Sequence, residues 1–439
     1  MAYIDKYQQY LQELPEDVKK CKISGRRTVF GYTSDLDVVI DWDVDKFNEL
    51  LVEYLKEEPS LKEGDTIDGM ESFARIVSYY VMNGMGGEID ITDIEVCNFI
   101  ENNFNTSFAL GGTCAQGAAA LASVGFPLIA HITDRCKEVC RLMDYPELHL
   151  VTEKGISSVM DSATNELPVR HMIFQFSKGD IVNIRGREVT IPVSNRLIMD
   201  YDKIHKYLPI EETFLRFCEE NAENIFSYNI SGFNAIIDME IMKKKMQELG
   251  VHYQKVKDKN PDCIIYLEGA HYLNSQIKNC VFETASKYCD ILGMNEEELV
   301  DFGEQFGTKI NKDNLESVLE GLSLAIKKYP VKGIVMHTKD YSMYYGQELN
   351  SIPIEKGLTM GNLMSGTRAR TGKYGSYKDC KESLNLELSQ TGLAFCEQLE
   401  KIKINCYAKM VPSRYMEKPK YTIGLGDTFV AGMQIGFMK

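Results

Sequence analysis

The sequence predicts an α/β fold, a mainly parallel sheet covered by helices, with a smaller α/β lid over its ligand edge. Three observations carry that expectation. Beyond residue 200, apolar strand-like runs at 225–230, 262–267, 290–293 and 332–337 alternate with helical stretches such as Phe233 to Leu249 and Leu315 to Tyr329. Apolar strands spaced by helices mean parallel strands buried on both faces. Two of these runs end in acids, Glu268 in one case and Asn295-Glu296-Glu297-Glu298 in the other. Finally, Gly424-Leu425-Gly426-Asp427 opens a helix whose apolar residues Phe429, Val430, Met433 and Phe437 recur at helical spacing.

Composition narrows the partners. The 439 residues are 44% hydrophobic and 26% charged, an ordinary globular balance. Forty-nine basic against 64 acidic residues leave a net charge of −15, which argues against nucleic acid or an anionic membrane as the main partner. The twelve cysteines are scattered without a C-x-x-C pair. Cys136 and Cys140 share a helix face but have no further ligands close in sequence, which argues against zinc. Scattered thiols and an N-terminus without the layout of a signal peptide point to a reducing, cytoplasmic setting. No stretch reaches the roughly 20 apolar residues of a membrane span.

Taken in order, residues 3–20 read as an amphipathic helical arm interrupted at Pro15. Thr28 to Tyr32 reads as a first strand running into a turn that carries Asp35 and Asp37, at the edge where open α/β sheets bind ligands. Acidic helices follow to about residue 109, with the cluster Gly84-Met85-Gly86-Gly87 ending in Glu88. Gly111-Gly112-Thr113 opens a small-residue helix that can pack tightly on a sheet, and Pro127 to Ala130 is the next strand. Residues 166–199 read as a hairpin, His171 to Phe176 turning at Lys178-Gly179-Asp180 into Ile181 to Ile191. The expected division is large domain 1–40, 110–165 and 200–439, with lid 41–109 and 166–199. Thr371 to Ser376 reads as the clearest flexible loop, flanked by Arg368, Arg370 and Lys378.

The chemistry is concentrated in the acids and the glycine turn. Free N–H groups at a Gly-rich helix start favour an anion, typically phosphate. A carboxylate planted there repels that anion, unless Asp427 takes a proton from a hydroxyl that attacks phosphorus; the alternative is that Asp427 only caps the helix. Glu268 and the acids from Asn295 to Glu298 suit a divalent cation bridging phosphates, though Asn-x-x-Glu is equally a capping box. His171 and His337 lie on apolar strand runs, where a satisfied core histidine is the ordinary reading. No Ser-His-Asp arrangement, dinucleotide G-x-G-x-x-G or P-loop is present in the expected place.

These pieces, in this order, make the chain resemble the ribokinase-like sugar kinases, and within them the ADP-dependent glucokinase/phosphofructokinase group. Gly424-Leu425-Gly426-Asp427 is similar to the family's GxGD, whose amides form an anion hole and whose Asp is the base. Asn295 to Glu298 resembles its NxxE motif for Mg²⁺, and Tyr266-Leu267-Glu268 its HxE motif with Tyr in the first place. Tyr32 to Asp37 is similar to its N-T-N-x-D sugar segment, with Asp35 where Asn is usual. Gly111-Gly112 resembles its sugar-contacting glycine pair, Gly86-Gly87-Glu88 the lid segment that supplies a sugar-binding Glu, and Arg170-His171 the stretch that brings a His to glucose. Pro192 to Arg196 resembles the segment whose Arg reaches the nucleotide phosphate.

The resemblance implies catalytic Asp427 with Gly424, Leu425 and Gly426, and substrate contacts at Asp35, Asp37, Glu88, Gly111, Gly112 and His171. It further implies nucleotide contacts at Arg196 and His337, and metal-organising Glu268, Glu298 and Asn295. The expected activity is transfer of a phosphoryl group from ADP, or ATP, with Mg²⁺, to a hexose such as glucose. An acid at position 88 opposes a sugar phosphate. A sugar-phosphate or nucleoside kinase of the same fold, or a catalytically silent sensor, is the alternative.

Overall fold

The structure is a computed structural model and describes residues 3–272 and 274–438. Its strands, in chain order, are β1 (Arg27–Gly31), β2 (Asp35–Ile40), β3 (Gly87–Asp90), β4 (Thr106–Gly111), β5 (Leu128–Ala130), β6 (Leu148–Thr152), β7 (Gly155–Ser158), β8 (Arg170–Phe176), β9 (Ile181–Ile184), β10 (Arg187–Thr190), β11 (Asn195–Tyr201), β12 (Ile225–Ile230), β13 (Ile264–Glu268), β14 (Ile291–Asn295), β15 (Gly333–His337), β16 (Tyr341–Gly346) and β17 (Tyr407–Pro412). They form a 10-stranded sheet in the order β17-β16-β15-β14-β13-β12-β1-β5-β6-β7, a 5-stranded sheet in the order β3-β11-β8-β2-β4, and the separate hairpin β9-β10.

The large sheet is parallel from β15 through β6, and antiparallel pairs close its edges at β16, β17 and β7. This is the mainly parallel sheet, covered on both faces, that the alternation of apolar runs predicts. The runs are apolar because both faces are covered: every residue of β12 and β13 is buried. The helix Leu425–Gln434 packs against helix Ile354–Thr371 with almost no gap. A Cβ on Gly432 would meet the backbone of Gly361 at 2.6 Å, so only glycine permits this approach.

Four expectations change. The N-terminal helix runs unbroken from Tyr3 to Ser24 through Pro15. Tyr7, Leu11 and Leu14 are buried, and Lys356 pairs with Glu13 and Asp17, so packing outweighs the one backbone bond that proline removes. Asp35 and Asp37 lie on β2, within the smaller sheet, and not in a turn after the first strand. Leu36, Val38 and Ile40 alternate with them and are buried, the period of a strand with one apolar face. The segment 35–40 therefore pairs with β4 and β8 of the smaller sheet, although the expected division placed it in the large domain. Likewise β8 does not pair with β9; its partner is β11, which runs on to Tyr201, while β9 and β10 form their own hairpin. Finally, the loop after Thr371 is short and anchored: Tyr374 is buried and Ser376 caps the helix Tyr377–Ser383.

Candidate active site

The five-stranded sheet turns one face toward the large sheet, and its register decides what that face presents. Asp90 on β3 lies opposite Asp200 on β11, Asp200 opposite His171 on β8, and His171 opposite Asp37 on β2. One row across four strands thus carries three carboxylates and an imidazole. His171 Nδ1 lies 3.1 Å from Asp35 and 3.9 Å from Asp37, and its Nε2 lies 3.8 Å from Asp200. Burial disfavours the imidazolium, but Asp35 and Asp200 outweigh it and push the pKa of His171 up to about 10. Burial and the neighbouring Asp35 raise Asp37, and burial raises Asp200 despite the attraction of His171. The row is crowded with negative charge that one imidazolium does not neutralise.

These groups line a cleft of about 600 Å³ together with Glu88, Gly111, Gly112 and, on its floor, Asp427. Asp202, His205, Gln116, Lys206 and Lys62 complete it and were not anticipated from the sequence. Asp200 and Asp202 were legible in principle, since Leu197-Ile198-Met199-Asp200-Tyr201-Asp202 repeats the alternation of β2. Asp35, His171 and His205 bring ligand-type atoms within 4.8 Å of one another. Both ring nitrogens of His205 are already engaged, Nδ1 by Asp202 at 2.8 Å and Nε2 by Thr133 at 2.6 Å.

Gly424 is the N-cap of the final helix, with φ of 71°, and a Cβ there would lie 2.0 Å from Gln116 Oε1. Asp427 therefore sits in the first helical turn and is not the cap. Burial and the nearby charge of Glu268 raise its carboxyl to about 6, while a hydrogen bond from Thr113 pulls the other way. On the far side of the same turn, Leu425, Gly426 and Phe429 line a second cleft of about 580 Å³ with Asn295, His337, Lys339 and Arg414. One helical turn thus forms a wall of both clefts.

The acids at the strand ends gather behind that wall. His337 Nε2 lies 2.8 Å from Glu268 Oε1, and its ring stacks 4.9 Å from Phe429. Burial works against the charge on His337, but Glu268 more than offsets it and raises the pKa. Tyr266 donates to Glu268 Oε2 at 3.0 Å, occupying the place where the resemblance has histidine. Asn295 and Glu298 do form the capping box: Asn295 Oδ1 accepts from the N–H of Glu297 and Glu298, and Glu298 Oε2 accepts from the N–H of Asn295. Burial and Glu268 raise Glu298 to about 7. Arg196 stands apart: it is exposed at the start of β11 and lines neither cleft.

A buried carboxylate at an amide-rich helix start, between an acid-lined cleft and a second cleft, suits a phosphotransferase with an alcohol acceptor. A sequence model described as the ADP-specific phosphofructokinase/glucokinase conserved region matches residues 26–435, and the chain belongs to that family. It is 24% identical over 387 residues to an ADP-dependent glucose/glucosamine kinase of Pyrococcus abyssi, covering 82% of each chain. It is 21% identical over 441 residues to an ADP-specific phosphofructokinase of the same organism, covering 93% of this chain and 96% of that one. Among solved structures, the last common ancestor of ADP-dependent phosphofructokinases from Methanosarcinales superposes with a TM-score of 0.83 at 20% identity, covering 100% of this chain and 99% of that one. An ADP-dependent kinase in complex with fructose-6-phosphate and ADPβS superposes with a TM-score of 0.74 at 18% identity, covering 98% of each.

Proposed function

We propose that the protein phosphorylates a hydroxyl of an unphosphorylated hexose such as glucose, with ADP as donor and AMP as product. The observation that carries this reading is the carboxylate row beside Asp427, with Glu88 in the same cleft. Hydroxyls pair well with carboxylates and with protonated carboxyls alike, whereas the phosphate of a sugar phosphate finds in Asp35, Asp37, Glu88 and Asp200 no cation to neutralise it. Lys206 lines the cleft too, but its charge is already held by Asp90 at 2.7 Å.

Asp427 is the base in this reading. Its carboxylate takes the proton of the acceptor hydroxyl as that oxygen bonds to the β-phosphorus, and AMP departs with the electron pair of the broken P–O bond. The N–H groups of the Gly424–Asp427 turn steady the charge on the moving phosphoryl group. Asp35, Asp37, Glu88, Gly111, Gly112 and His171 orient the sugar, and His337, at the wall of the second cleft, faces the nucleotide. The place of Arg196 on the lid-side sheet suits it to the donor phosphate once the clefts narrow.

Mg²⁺ fits behind the turn. Glu298 is raised by burial and, next, by the neighbouring carboxylate of Glu268, a crowding of acids that a cation would relieve. Glu298 Oε1 lies outside the hydrogen bonds that engage Glu268, Asn295 and Glu298 Oε2; the three residues would hold the ion through it, through spare lone pairs and through water, and when bound it would shield the phosphate charge.

The test is a coupled assay crossing glucose and fructose-6-phosphate with ADP and ATP. Turnover of glucose with ADP is the expected result, and turnover confined to fructose-6-phosphate overturns the acceptor assignment. Binding of sugar by calorimetry without turnover on any donor would favour the silent sensor.

A further inference from the structure

Arg368 is an anomaly of charge. It sits on the last turn of helix Ile354–Thr371 and is only 5% exposed, yet among the described residues no carboxylate lies within ion-pair distance of it. A buried cation without an acid is costly. Aromatic faces offset part of that cost: the guanidinium lies 4.3 Å from the ring centroid of Tyr374 and 4.5 Å from that of Tyr421. Its Nε donates to the carbonyl of Ile423 at 3.4 Å, and a second nitrogen donates to the carbonyl of Gly372 at 3.3 Å. Ile423 immediately precedes the Gly424 turn. Tyr374 in turn donates to Gln116 Oε1 at 3.4 Å, the oxygen against which Gly424 is packed. The sandwich therefore braces the turn from two sides.

We propose that Arg368 is a positioning residue for phosphoryl transfer: it fixes the peptide leading into the Gly424 turn and keeps a standing positive charge beside Asp427 and the arriving phosphate. Its missing counter-ion is the charge that catalysis brings. This inference rests on the reading of Asp427 as base. Asp427 also faces Glu268 on β13, His337 on β15, and Thr113 on helix Thr113–Ser123, so Arg368 and His337 are the cations opposing Glu268 there. Arg368 lines neither cleft, so it acts through the turn and through its field rather than by contact with substrate.

The test compares Arg368→Met, Arg368→Lys and Tyr421→Leu with the unaltered enzyme, recording kcat and KM across pH and thermal melting. Arg368→Met is expected to lower kcat by about tenfold to a hundredfold, leave acceptor KM within about threefold, and move the acidic limb of kcat/KM upward by on the order of one pH unit. Arg368→Lys keeps the charge but has no planar fork for two carbonyls, so kcat falls by about tenfold while the limb stays in place. Tyr421→Leu, which loosens the sandwich, is expected to behave like Arg368→Lys. Should Arg368→Met fail to fold, wild-type kcat in both of the other variants overturns the proposal, and loss in both with the limb in place supports it. A folded Arg368→Met with the wild-type limb also overturns it. Asp427→Asn separates the two readings: if it retains turnover the base assignment fails, whereas an inactive Asp427→Asn beside fully active Arg368 variants refutes only the role of Arg368.

Discussion

In the large sheet, Leu267, Leu292 and Ile334 lie side by side and buried on three successive parallel strands, in one apolar layer. In the smaller sheet, Asp90, Asp200, His171 and Asp37 form one row across four strands, while Leu36 and Val38 bury the opposite face. The first arrangement stores stability, and the second leaves one face of a sheet polar and open to a cleft. Because the polar row lines a cleft while the apolar layer lies within the core, damage to each is expected to read out differently. Removing buried methyl groups weakens the fold throughout, whereas changing the polar row alters substrate preference in a protein that stays folded.

The largest expected effect breaks the scaffold. Leu292→Ala, on the fully buried centre of β14, should cost about 2–5 kcal/mol in chemical denaturation and leave KM for either substrate nearly unchanged. A large KM change without lost stability would erase the contrast between the sheets. Next, Asp427→Asn should lower kcat by on the order of 10² or more. Its effect on stability has the opposite sign. The native carboxyl, raised to about 6, holds its proton more tightly than the unfolded chain does, so ionisation above that pH destabilises the native state. Asparagine removes that penalty, so its melting temperature should gain on the unaltered protein as pH rises from about 4 to about 6 and keep that gain above it.

Smaller effects sharpen the comparison. His171→Ala leaves Asp35, Asp37 and Asp200 without their cation and should raise acceptor KM by about tenfold or more, with donor KM unaffected. The pH profile of the unaltered enzyme should show kcat/KM falling below about pH 6, as Asp427 gains a proton and ceases to act as base. A flat profile down to pH 5 would remove Asp427 from that role. Smallest, Tyr266→Phe withdraws one hydrogen bond from Glu268 and should cost about 1 kcal/mol of stability with only a few-fold change in kcat.

The same contrast explains what was legible in the sequence. The parallel strands β12 to β15 follow one another along the chain, each a compact apolar run, so periodicity alone located them and placed their terminal acids on one edge. The glycine turn was equally plain, because Gly424 and the apolar stripe from Phe429 to Phe437 are contiguous. The smaller sheet was harder. Its strands come from positions 35–40, 87–90, 106–111, 170–176 and 195–201, and their neighbours depend on pairing across long separations. Asp35 and Asp37 looked like turn residues because acids are uncommon on strands, and β8 was matched to β9 because the Lys178-Gly179-Asp180 turn lay between them. Asp200 and Asp202 went unnoticed although their alternation with Leu197 and Met199 was there to read; it is the register of Asp200 with His171 that shows its place in the row. Arg368 looked like part of a solvated basic loop; the two tyrosines that enclose it lie at 374 and 421, too far apart to suggest a sandwich.

The contact of Gly432 with Gly361 has a consequence for how such an enzyme diversifies. Two helices joined backbone to backbone leave the final helix no latitude to slide or tilt, so its first turn is a fixed datum from which both ligands are measured. The strands opposite can then change without re-aiming Asp427.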